Sequence, residues 1–148
     1  MKSLLDPADR RRLLTRLQKL SPDAPARWGE LNAPRMLAHL CDSLLLMLGE
    51  IEVRSRDSAL RWPLVKPLVM YWLPWPKGRI KGPRALFRTP PGNWDSDQVR
   101  FVSLLERFTS ETTRSAWPEH PLFGAMTHRS WGRFGYRHVD HHLRQFGA

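Results

Sequence analysis

The sequence predicts an all-α protein: a four-helix bundle with an additional short helix or loop as a cap. Apolar residues recur at spacings of three and four along several long segments. Almost no segment alternates apolar and polar residues as a half-buried strand would. The chain has 148 residues and shows no internal repeat or linker, so we expect a single domain covering residues 1–148.

The first two helices are expected near residues 6–20 and 33–48. Asp6 precedes a proline, an order typical of a helix N-terminus. The apolar stripe that follows has helical spacing and consists of Leu13, Leu14, Leu17 and Leu20. Asn32 begins the second helix, which is apolar nearly all round before Gly49. Such a pattern predicts a buried helix.

The middle of the chain, residues 51–94, is interrupted repeatedly by proline. Its prolines are Pro63, Pro67, Pro74, Pro76, Pro83, Pro90 and Pro91. We expect a short kinked helix at 61–73 and an extended loop elsewhere. Because the segment is also rich in tryptophan, this loop should wrap the bundle or roof a pocket.

The last two helices are expected near residues 95–115 and 129–146, with Asp95 and Thr127 at their starts. Successive residues of a helix are about 100° apart around its axis. On that projection one side of the final helix carries mostly arginine, and the opposite side carries Trp131, Phe134, His138, His142 and Gln145. The two histidines should therefore face the core.

His138 and His142 are four residues apart, so a helix places their imidazoles one turn apart, where they can share a metal ion. His39, on the apolar second helix, is the candidate third ligand. Three histidines and one open position form a common catalytic metal site. The alternative is that these are core histidines, hydrogen-bonded to the backbone or to Asp42. The residues alone leave both interpretations open.

The other candidate ligands have weaker support from the pattern. His141 lies at the border of the helix face, and we expect His120 and His128 at the surface or in caps. Cys41 points about 200° away from His39 on a helix, so we do not expect it to share the same metal. With one cysteine, an intramolecular disulfide is excluded. No nucleophile motif or phosphate-binding loop is present.

The formal charge of +10 comes mostly from arginine. Such a charge attracts nucleic acid, but the basic residues are scattered and no nucleic-acid-binding motif accompanies them. Nucleic-acid binding is therefore the least favoured hypothesis. No signal segment and no apolar run of about 20 residues is visible. We expect a soluble, cytoplasmic protein without a membrane partner.

The motifs carry a family resemblance over nearly the whole chain. The terminal HVDHHLRQ, with a histidine on an early helix, resembles the signature of the DinB/YfiT-like superfamily of metal-binding four-helix bundles. RWGELNAPRMLAHL, HPLFG and HHLRQFG resemble more closely an uncharacterised bacterial branch, a domain of unknown function.

The resemblance implies that His39, His138 and His142 bind a divalent transition metal: zinc, nickel or iron. Gln145 and Asp42 would hold the imidazoles in orientation. Implied activities are those of a thiol-dependent transferase or a hydrolase, acting on a small molecule or with a low-molecular-weight thiol. The alternative to an enzyme is a non-catalytic binding or structural module of the same fold, for example one that forms a homodimer.

Overall fold

A computed structural model describes residues 1–54, 57–78 and 83–148, which form helices joined by loops. The helices are α1 (Pro7–Leu17), α2 (Ala33–Leu48), α3 (Val65–Pro67), α4 (Trp94–Ser110) and α5 (His128–Gln145). Short 3₁₀ turns lie at Ala59–Arg61 and Arg84–Phe87, and a π turn at Leu68–Trp72 continues α3. No strand forms within the described ranges. The all-α prediction is confirmed.

Three helix starts follow the predicted capping chemistry, whereas α4 begins at Trp94 with Asn93 rather than Asp95 as its cap. The Asp6 side chain accepts the Asp9 amide at 2.9 Å, and the Asn32 side chain accepts the Arg35 amide at 2.9 Å. Thr127 forms a reciprocal capping box with the third residue of α5. Each side chain satisfies amides that a helix leaves unpaired at its N-terminus.

Two helices end earlier than their apolar patterns predict. α1 ends at Leu17, and the amide of Leu20 then bonds to the Leu17 carbonyl at 3.0 Å in a tighter turn. α4 ends at Ser110 rather than at 115. The Glu111 side chain accepts the amide of Thr113 at 3.1 Å, and this local bond competes with continuation of the helix.

Helix α2 is the central element, as its apolar composition predicts. It packs along α4 and also contacts α5, while α1 packs against α5. The start of the chain also lies against α5, where the Leu4 amide donates to the Gly132 carbonyl at 2.9 Å. A Cβ at Gly135 would lie 2.5 Å from Leu4 Cδ1, so any larger residue there would force the buried Leu4 side chain to move.

The proline-rich middle packs against α2 and α5, in agreement with the predicted wrapping loop. Arg137 of α5 donates to the carbonyls of Met70 and Leu73, both at 2.7 Å, and so satisfies the end of the π turn. Leu86 is buried beside α2. None of the helices in the described ranges has the length and apolarity needed to cross a membrane.

Candidate metal centre

Three imidazoles converge where α2 meets α5. His138 Nε2 lies 3.2 Å from His39 Nε2 and 3.2 Å from His142 Nε2. The three candidate ligand atoms all lie within 4.8 Å of one another, so the group could hold a metal ion. The i, i+4 spacing on α5 aligns two of the rings, and the packing of α2 on α5 brings in the third.

Two of the three rings have a protein partner on the far nitrogen. His39 Nδ1 donates to the Leu86 carbonyl at 2.8 Å, and His142 Nδ1 donates to Gln145 Oε1 at 2.9 Å. A carbonyl oxygen only accepts, so these contacts place the ring proton on Nδ1. The lone pairs of both Nε2 atoms are therefore directed into the cluster. His138 Nδ1 is buried without a hydrogen-bond partner in the part of the chain that the structure describes.

Gln145 is itself held from a different part of the chain. This side chain is buried, and its Nε2 donates to the Trp28 carbonyl at 2.7 Å. Gly29 follows with a φ of +79°, and a Cβ there would lie 2.6 Å from Gln145 Nε2. The connection between α1 and α2 thus orients Gln145, which in turn orients His142.

Asp42 contacts the loop rather than an imidazole. Its carboxylate accepts the Thr89 hydroxyl at 2.5 Å and the Thr89 amide at 3.3 Å, and the residue is fully buried. Among the described residues, no hydrogen bond joins Asp42 to the three histidines. Asp42 is linked to the cluster through Thr89, which lies next to the turn that carries Leu86, and through its charge, which favours protonation of His39 and opposes the larger effect of burial on the pKa of that ring.

Aromatic side chains surround the cluster. Phe87 stacks on His39 with ring centroids 4.4 Å apart and planes 5° apart. Phe134 stacks on His138 at 5.6 Å, and Trp75 lies 6.3 Å from the same ring. Phe87 and Trp75 come from the proline-rich middle, which therefore covers the site. The aromatic content of this segment predicted that it wraps the bundle or covers a pocket, but it did not predict which residues Phe87 and Trp75 contact.

Burial keeps the cluster uncharged. It lowers the pKa of His39, lowers that of His138 well below the ordinary 6.5, and lowers that of His142 to about 3. The neighbouring imidazoles lower the last two further, because adjacent positive rings repel each other. At neutral pH the rings are neutral, which is the form that binds a metal.

Two weaker candidates do not join the cluster, although the His141 ring lies 5.4 Å from that of His142. The ring of His141 lies 6.0 Å from those of both Trp28 and Trp75. Cys41 is buried with its sulfur 3.9 Å from the Asp97 carbonyl. Neither belongs to the metal-capable group, as the helix positions of both residues predict.

His120 and His128 have structural roles. Of the two positions expected for His120, the surface or a cap, the structure has the cap: the residue is buried, and its Nδ1 accepts the amides of Leu122 and Phe123 at 3.1 and 3.2 Å. It therefore caps the HPLFG turn. His128 Nε2 donates to the Phe108 carbonyl at 3.0 Å, which links α5 to α4.

The whole chain, residues 1–148, matches the family described as "Protein of unknown function (DUF1569)", and the protein belongs to that family. The match confirms the uncharacterised domain family that the motifs indicate. No curated protein and no solved structure matches the chain.

Proposed function

We propose that this DUF1569 protein is a metal-dependent protein that binds one divalent transition metal, zinc, nickel or iron, through His39, His138 and His142. The convergence of their three Nε2 atoms carries the proposal. A tetrahedral zinc ion with Zn–N bonds of about 2.0–2.1 Å holds its ligand nitrogens roughly 3.3 Å apart. Two of the pairs are already 3.2 Å apart.

The tautomers support the same conclusion. His39 and His142 present unprotonated Nε2 atoms to a buried point, where bare lone pairs oppose each other. A cation relieves that repulsion. The ordinary way to prepare a histidine for a metal is to engage its other nitrogen with a carbonyl or amide oxygen, and these two rings have such partners.

The reaction we propose is that of a thiol-dependent transferase or a hydrolase with a small-molecule substrate. Two points support this class of reaction: the set of three histidines, and the resemblance of the sequence motifs to those of the DinB-like four-helix bundles. A metal ion held by three histidines, with one position open, lowers the pKa of a thiol or water and so supplies a nucleophile at neutral pH.

The surrounding residues would prepare the site for such chemistry. Gln145 and the Leu86 carbonyl orient two imidazoles. Phe87 and Phe134 cover ring faces and exclude water from them. His138 and His142 are partly rather than fully buried as residues, and a small ligand would have to approach from their exposed side.

One feature favours a second candidate, a non-catalytic module whose histidines bond only to each other. His138 Nε2 lies at hydrogen-bonding distance from both other rings. If its proton is on Nε2, it can donate to either of them without any metal. This arrangement supplies one proton to two acceptors and leaves the buried His138 Nδ1 without a donor.

Elemental analysis of the protein, purified without a polyhistidine tag, tests the proposal. We expect about one transition-metal ion per chain, since the three ligand nitrogens form one group. Substituting His39→Ala or His142→Ala should remove the ion. The matched control is His141→Ala, because His141 neighbours the cluster on α5 without belonging to it.

If His141→Ala keeps its full metal content and His39→Ala contains no metal, the result would support a single site formed by His39, His138 and His142. If wild type takes up no zinc, nickel or iron under reducing conditions, the proposal fails and the hydrogen-bonded module remains. Circular dichroism of every variant separates loss of a ligand from loss of the fold.

A further inference from the structure

An exposed apolar patch lies on the proline-rich middle, in a segment that contains none of the three clustered histidines. Seven large hydrophobic residues in the described part of the chain are exposed, and five of them fall between residues 62 and 73: Trp62, Leu64, Leu68, Trp72 and Leu73. Leu64 is 86% exposed and Trp72 is 72% exposed. Isolated exposed hydrophobic residues are common on proteins, but a contiguous group marks an interaction surface.

The folding of α3 and the π turn directs these side chains outward. Leu64, Leu68 and Trp72 follow each other at intervals of four residues, which places them along one face of a helical segment. Met70 is fully buried and faces inward. Arg137 anchors the segment by donating to the carbonyls at its end. The apolar face is therefore held outward by a packed and hydrogen-bonded base.

The charge along the segment that carries the patch is of one sign, and an acidic side chain from outside this segment, that of Glu119, lies 3.6 Å from Arg61. Between residues 58 and 93 the sequence has seven lysines and arginines and no aspartate or glutamate. Lys66 lies within the segment itself, and Arg133 lies over the Tyr71 ring at 5.8 Å. Tryptophan and leucine next to cationic side chains are the combination that binds the interface of an anionic bilayer.

We propose that residues 62–73 dock the protein on the surface of an anionic lipid bilayer. The tryptophans and leucines would enter the interfacial region, where tryptophan is enriched in membrane proteins. The flanking lysines and arginines would pair with lipid phosphates. This peripheral contact is independent of the histidine cluster, and it revises the expectation that the chain has no membrane partner.

Charge and side-chain chemistry favour a bilayer over the other occupants. A second copy of the chain would bring two positively charged segments together, and like charges oppose such an interface. Single-stranded nucleic acid would match the charge and stack on tryptophan. It would leave the aliphatic side chains of Leu64 and Leu68 without an apolar environment, which a bilayer provides.

Co-sedimentation of the full chain with vesicles tests this proposal. We expect binding to vesicles of phosphatidylcholine mixed with phosphatidylglycerol, and at least about tenfold weaker binding to phosphatidylcholine alone. Added salt should weaken binding to the mixed vesicles, because it screens the attraction between the basic side chains and the anionic lipid. The double variant Leu64→Ser/Trp72→Ser should bind mixed vesicles at least about tenfold more weakly, because it removes two inserted apolar side chains.

The matched control is Val99→Ser, which removes a hydrophobic side chain that is 70% exposed on α4, outside the patch. It should bind mixed vesicles within about twofold of wild type, since surface substitutions away from a contact have little effect. All these side chains are exposed, so the variants should keep their fold, which circular dichroism checks.

Several outcomes would overturn the proposal. One is no binding to the mixed vesicles, and another is equal binding by wild type and the double variant. A dimer in sedimentation equilibrium that the double variant abolishes, without vesicle binding, would assign the patch to a second copy. Retention on single-stranded DNA that is lost in the double variant, again without vesicle binding, would assign it to nucleic acid.

Discussion

Replacing Gln145 with alanine should weaken metal binding although Gln145 is not a candidate ligand. The side chain accepts the His142 Nδ1 proton at 2.9 Å and donates to the Trp28 carbonyl at 2.7 Å. Alanine removes both bonds. The His142 ring loses the contact that sets its tautomer and orientation, so Nε2 is no longer held toward His138.

The size of the effect follows from those two bonds. Loss of a partner that orients a ligating histidine typically costs about 10–100-fold in metal affinity. The substitution also leaves the N–H of His142 and the carbonyl of Trp28 unpaired, and a fully buried unpaired group costs roughly 1–3 kcal/mol. Two such groups would cost about 2–6 kcal/mol. Because both bonds are only partly buried, we expect the free energy of unfolding of the metal-free protein to fall by about 2–4 kcal/mol.

Competition titration of zinc against a chromophoric chelator measures the affinity, and urea unfolding measures the stability. Gln145→Glu separates the two effects. Its carboxylate still accepts from His142 Nδ1 but cannot donate to the Trp28 carbonyl, so zinc affinity should stay near wild type while stability falls. Gln18→Ala, at an exposed position, is the control. Unchanged zinc affinity in Gln145→Ala would refute the reasoning.

Three further predictions concern the supports of the site and of α5. Gly29→Ala places a Cβ 2.6 Å from Gln145 Nε2 at a φ of +79°, so the same titration should show weaker zinc binding; undiminished affinity would contradict this link. Burial lowers the pKa of His120 to about 3, and the charges of two nearby cationic side chains contribute. In the unfolded chain His120 therefore binds a proton near pH 6.5, whereas in the folded protein it stays neutral until about pH 3. The free energy of unfolding thus falls as the pH drops from 6.5 toward about 3. Urea unfolding at several pH values in that window gives the slope of the free energy of unfolding against pH. In His120→Gln this slope should be shallower than in wild type by up to about 1.4 kcal/mol per pH unit, and equal slopes in the two proteins would disprove the assignment. Gly135→Ala forces a Cβ to within 2.5 Å of Leu4 Cδ1 and should lower the free energy of unfolding by about 1–3 kcal/mol, whereas a stabilised variant in the same assay would show that the chain start shifts freely.

The sequence determined the local features of this protein. Helix starts at Asp6, Asn32 and Thr127 and the end at Gly49 follow from side chains and backbone within a few residues. The apolar periodicity assigned α2 to the interior. It also placed His138 and His142 on the core-facing side of the last helix, because a helix repeats every 3.6 residues whatever packs against it.

Tertiary structure decided the partners of those residues. His39 meets His138 across 99 positions because α2 packs on α5. Asp42 binds a loop threonine, although its position three residues after His39 had made it a candidate partner of an imidazole. Spacing within one helix gives no information about which side chain approaches from another segment.

The loops contributed what periodicity could not predict. The Leu86 and Trp28 carbonyls hold the site through His39 and Gln145, and any residue type could supply them, since every residue has a backbone carbonyl. His120 is buried by the turn that it caps. The sequence thus determined which faces are buried, because burial follows from local pattern. The three-dimensional path of the chain decided which groups meet, because that depends on contacts between distant residues.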